Sequence, residues 1–63
     1  MSYGEKIKSI RESKGMTQED LGEMIGVSKQ MICQLERGTK NLTLQITAQI
    51  ADALGVKMVD IIE

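Results

Sequence analysis

The stretch VSKQMICQLERG, residues 27–38, decides how the chain is read. At about 100° per residue, Met31, Ile32 and Leu35 fall on one arc of a helix, and Lys29, Gln30, Cys33, Gln34 and Arg37 fall opposite. The first arc suits a core. The second carries forked amides and cations, side chains able to pair bidentately with base edges or to neutralise phosphates. An ordinary solvated polar face has the same composition, so the flanking sequence must choose between them.

Working outward, Ser28 is placed to cap this helix, Val27 lies at the spacing to staple onto Ile32, and Gly38 supplies the left-handed stop. Upstream, Thr17 and Asp20 have the spacing of a capping box, with Met16 set to pack on Leu21 and Gly26 ending the helix. Two short helices joined by a tight turn at GVS make a helix-turn-helix, in which the second helix enters the major groove and the first crosses the backbone. Further upstream, a first helix is predicted from about residue 2 to 14. Ser2 and Glu5 form its capping box, Ile7 and Ile10 its inner face with Tyr3 beside them, and Gly15 its stop.

Downstream, TKN reads as an exposed loop and Thr43 caps a fourth helix closed by Gly55. Ile46, Ile50, Ala53 and Leu54 give that helix an inner face, with Leu44, Thr47 and Ala51 alongside. The last seven residues, KMVDIIE, suffice for two turns, yet Met58, Val59, Ile61 and Ile62 are all apolar. So short a helix can hardly bury all four within its own domain.

Composition narrows the function. The 63 residues are expected to form a single domain over 1–63, near the lower size limit for a core unsupported by disulfides or metal. Only Tyr3 is aromatic, so the core must consist of aliphatic residues and methionine, which suit packed helices. There is no histidine, no phosphate-binding glycine loop, no metal-spaced cysteine pair and no base paired with a nucleophile. The sequence therefore argues against an enzyme and implies no cofactor, no metal and no small-molecule ligand. No apolar run approaches the roughly 18 residues that span a bilayer, and no secretory signal is visible. A soluble, cytoplasmic protein is expected. A net charge of −1 disfavours a general nucleic-acid coat, so any DNA binding must rest on local charge.

The segments MTQEDLGEMIGVSKQMICQLERG and NLTLQITAQIADALGV together resemble the phage-repressor and Cro-type helix-turn-helix family, also termed XRE-like, over nearly the whole chain. The resemblance implies an all-α, five-helix, lambda-repressor-like domain that binds operator DNA, usually as a dimer. By position, it implies that Lys29, Gln30 and Gln34 face base edges, where glutamine pairs with adenine and lysine with guanine. It implies that Gln18 touches phosphate and supports the recognition residues, and that Arg37, Lys40 and Asn41 follow the DNA backbone. Ser28 is expected both to cap its helix and to meet phosphate. In similar proteins the acid at Glu36 pairs with a first-helix arginine, here Arg11.

Two positions depart from the family. Cys33, predicted to face DNA, is expected as a small polarisable filler able to touch a thymine methyl; only Lys29 and Arg37 lie near enough to favour a reactive thiolate. Leu42 stands where the family commonly has proline, leaving the loop without that stiffening. The sequence reading is therefore a sequence-specific, double-stranded-DNA-binding regulator, a repressor in preference to an activator. It would work as a homodimer paired through Met58, Val59, Ile61 and Ile62 on an inverted-repeat operator. The same fold also serves as the antitoxin of a toxin pair, or as a helical interaction module that never meets DNA.

Overall fold

Hydroxyl side chains start four of the helices. Each of Ser2, Thr17, Ser28 and Thr43 adopts an extended backbone and accepts a hydrogen bond from the backbone N–H three residues on, at Glu5, Asp20, Met31 and Ile46. At the first two sites the carboxylate reaches back to the cap residue's own N–H, Glu5 to Ser2 at 3.0 Å and Asp20 to Thr17 at 2.9 Å. These bonds hold both carboxyls below their ordinary pKa, chiefly through the backbone N–H of Ser2 and of Thr17.

The computed structural model describes residues 2–63 and, among them, five helices: α1 (Tyr3–Ser13), α2 (Gln18–Ile25), α3 (Lys29–Arg37), α4 (Leu44–Leu54) and α5 (Val59–Ile62). The fold is all-α, as expected. Every helix sends at least one side chain to a single core: Ile7 from α1, Leu21 from α2, Ile32 and Leu35 from α3, Ile50, Ala51 and Leu54 from α4, and Ile61 from α5. Burying an aliphatic side chain of this size contributes about 1.5–3 kcal/mol, and this one cluster has to hold all five helices together.

The tight turn between α2 and α3 depends on Gly26, whose φ of 78° lies in the left-handed region that side chains rarely adopt. Its neighbour Val27 packs partly buried against the core and thereby sets the angle at which α3 leaves the turn. A second glycine acts through size. A Cβ on Gly4 would run into the backbone carbonyls of Glu36 and Leu35, because α1 lies directly against the C-terminal turn of α3. Gly4→Ala should therefore destabilise the domain by about 1–3 kcal/mol, as overpacking does. A thermal melt unchanged by that substitution would mean that the two helices can part at no cost.

The structure corrects the reading of α4 and α5. The buried arc of α4 is centred on Thr47, Ile50, Ala51 and Leu54, while Ile46 and Ala53 are only partly buried and Leu44 is 76% exposed. Apolar residues flank that arc on both sides, so periodicity alone leaves its centre ambiguous by more than one position. Thr47 is tolerated inside because its hydroxyl donates to the Thr43 carbonyl at 2.7 Å. The last helix is a single short turn rather than two, preceded by a Lys57 N–H bonded to the Asp60 carboxylate at 3.0 Å.

Candidate nucleic-acid interface

The outer face of α3 follows from the burial of its inner one. With Ile32, Leu35 and Glu36 turned inward, helical geometry turns Lys29, Gln30, Gln34 and Arg37 outward, and all four are exposed. Cys33 is half-buried at the edge of this face.

Three shallow depressions make the surface around α3 continuous. One, of about 470 Å³, is bordered by Ser28, Gln30, Met31, Cys33, Gln34 and Arg37. A second, of about 350 Å³, shares Cys33 and Arg37 with the first and extends to Lys8, Gln18 and Glu36. A third, of about 510 Å³, shares Gln34 and extends through Thr39, Lys40 and Asn41 to Thr43. All the polar residues expected at DNA therefore lie on this one band except Lys29, which stands exposed beside Ser28 but outside the depressions. Lys8 is an addition. Nothing in the α1 sequence marks it, because its position depends on how α1 crosses α3.

The band is locally basic. Lys8, Arg37 and Lys40 line it, and Glu36 is its only lining acid. That acid is spoken for: Arg11 donates from Nε to Glu36 Oε2 at 2.7 Å and from Nη2 to Oε1 at 3.2 Å, while Gln18 Nε2 donates to Oε1 at 3.0 Å. Arg11 also donates from Nη1 to the Met16 carbonyl at 2.6 Å. The side chains of the ion pair are only 7% and 4% exposed, and among the described residues no buried polar side-chain atom lacks a partner. Donating to the Glu36 carboxylate raises the Arg11 pKa above its ordinary value, with burial opposing it. Glu36 thus pairs with Arg11 as expected, and the pair is buried because α1 closely approaches the end of α3.

The same cluster fixes Gln18. One amide proton of its Nε2 goes to Glu36, so this side chain at the start of α2 is tied to α3 and its remaining amide groups are held at the band's edge. Ser28 is likewise half-committed: its oxygen accepts from the Met31 N–H at 3.1 Å, leaving its O–H as a donor.

On another side of the domain, the expected pairing residues separate. Ile61 is fully buried in the domain's own core, so it cannot belong to a surface that meets a second subunit. A one-turn helix must send its central apolar residue inward to dock at all. Met58 is partly buried, whereas Val59 and Ile62 are 44% and 58% exposed. Ile62 and Met58 line a groove of about 500 Å³ together with Tyr3, Leu42 and Leu44. Leu44 was not anticipated there.

Comparison with known proteins agrees with this geometry. The helix-turn-helix family matches residues 7–61. An uncharacterized HTH-type transcriptional regulator of Methanocaldococcus jannaschii, MJ0272, is 41% identical over 89% of this chain and 85% of its own. Control protein C.BamHI of Bacillus amyloliquefaciens is 37% identical over 97% of this chain and 76% of its own. The crystal structure of the P22 c2 repressor in complex with a synthetic operator superposes with a TM-score of 0.93 at 27% identity, covering 100% of this chain and 96% of that one. The chain belongs to the helix-turn-helix family of transcriptional regulators.

Proposed function

We propose that this helix-turn-helix protein binds double-stranded DNA sequence-specifically as a homodimer and represses transcription by occupying an inverted-repeat operator. In this reading Lys29, Gln30 and Gln34 meet base edges, with Cys33 against a thymine methyl. Gln18, Ser28, Arg37, Lys40 and Asn41 hold phosphates, joined by Lys8. The observation that carries the reading is the continuous band on which amides and cations surround α3 while the one acid is neutralised from within. The likeness to a repressor crystallised with a synthetic operator supports the DNA-binding reading. Repression requires only occupancy, which suits a domain in which one helix face is given over to DNA.

Pairing through the exposed part of the α4–α5 surface would place two recognition helices about 34 Å apart, one turn of DNA. Two domains whose longest extent is 24 Å can span that distance. Each subunit offers only a handful of cations, so a single domain should bind weakly and the second adds affinity as well as register.

Selection of bound sequences from a random duplex pool tests the reading. An inverted repeat should emerge. At the selected site, Gln30→Ala or Gln34→Ala should cost about 1–3 kcal/mol and relax the preference at one position per half-site. Arg37→Ala and Lys40→Ala should weaken all sequences alike and reduce the salt slope by about one each. If the glutamine changes weakened every duplex equally, base readout would be misassigned. Failure to retain any duplex would leave the interaction-module reading, whereas a neighbouring toxin gene would favour the antitoxin.

A further inference from the structure

The loop that carries Lys40 and Asn41 is held unevenly. At its start the Thr39 N–H and hydroxyl both donate to the Gln34 carbonyl, at 3.0 and 3.3 Å, and at its end Thr43 caps α4. Between them, residues 40–42 contain no proline to lock the backbone, and Leu42 is anchored only by partial burial against the core. Among the described residues, one hydrogen bond reaches this span from elsewhere: the Tyr3 hydroxyl donates to the Lys40 carbonyl at 3.0 Å, across 37 positions of sequence.

We propose that Tyr3 is a positioning residue for DNA binding, its hydroxyl fixing the Lys40–Asn41 peptide so that the loop meets the phosphate backbone already ordered. The proposal rests on the DNA-binding reading above. Tyr3 is suited to the task because its ring is partly buried at the start of α1, the helix clamped to α3 through Gly4 and Arg11, so its hydroxyl is referenced to the recognition helix. Asn41 borders both the groove lined by Tyr3 and the depression lined by Gln34 and Lys40, so the tethered peptide forms the ridge between them. A loop that samples several conformations binds with an affinity reduced by the fraction of time it spends in the competent one. A single tether can change that fraction by no more than the net worth of one hydrogen bond.

The test compares the full chain with its Y3F, K40A/N41A and Y3F/K40A/N41A variants on a labelled duplex of random sequence, which reads phosphate contacts without base readout. Y3F keeps the ring and removes only the donor. It should lose about two- to tenfold in affinity at every salt concentration, with an unchanged salt slope because the contacts made in the complex are the same, while its thermal midpoint stays near that of the parent. In the K40A/N41A background, Y3F should have no further effect, since the groups that it positions are gone. A purely structural role for the hydroxyl would lower the midpoint without changing the duplex affinity of the folded protein, and that result overturns the proposal. Undiminished action in the K40A/N41A background overturns it as well. Loss of all duplex binding by the parent chain would instead reject the DNA-binding reading and take the positioning role with it, so the two failures are distinguishable.

Discussion

Replacing Arg11 with alanine is expected to remove about 3–5 kcal/mol of stability, because it leaves the Glu36 carboxylate inside the domain without its counter-ion. Marginal stability of about 0.05–0.15 kcal/mol per residue gives a 63-residue domain only about 3–9 kcal/mol in total. The variant should therefore lose a third or more of that margin, and its helical circular dichroism should melt far below the midpoint of the parent. The size of the effect comes from the number of links cut together. Arg11 joins α1 to α3 through both Glu36 oxygens and to the α1–α2 turn through the Met16 carbonyl, and Glu36 passes the connection on to α2 through Gln18.

Removing both charges should be milder than removing one, since no bare ion then remains in the interior. An R11M/E36L variant is expected to fold and to recover a large part of the loss in urea titrations. It should fall short of the parent because the Met16 carbonyl and the Gln18 amide lose their partners. An R11A variant that melted within a few degrees of the parent would show that water reaches Glu36 freely and that the pair holds nothing together.

What the sequence disclosed and what it withheld divide along the range of the interactions. The hydroxyl caps at Ser2, Thr17, Ser28 and Thr43 bond backbone groups three residues away, so their spacing in the chain is their geometry. The outward face of α3 was legible for a related reason: its apolar and polar arcs differ sharply, and only one orientation buries the former. Along α4, Leu44 lies beyond the arc on one side and Ile46 and Ala53 on the other, so nothing local decides which of them turns inward. Lys8 and Tyr3 acquire their places only when α1 crosses the end of α3. The Arg11–Glu36 contact spans 25 positions and was anticipated through likeness to a family, not through periodicity.

Neighbouring residues in α5 should respond in opposite ways to substitution. Ile61→Ala is expected to cost about 2–5 kcal/mol of stability, because it empties a fully buried site at which α5 docks on α1 and α4. Ile62→Lys, at a position 58% exposed, should change stability by no more than about 0.5 kcal/mol. Its effect should appear in assembly. If the surface around Leu44, Val59 and Ile62 pairs with its own copy, two-fold symmetry presents every substitution twice. One lysine per chain would then set two cations in an apolar interface and lower both self-association and operator affinity. Sedimentation with and without operator duplex separates the two substitutions: Ile61→Ala loses folded protein, whereas Ile62→Lys keeps the fold and loses the dimer. An Ile62→Lys protein that assembled and bound its operator as the parent does would place the pairing surface elsewhere. The contrast is sharp because a helix of one turn offers each side chain only one environment: Ile61 is spent on attaching α5 to the domain, and only what remains outside can attach the domain to a second subunit.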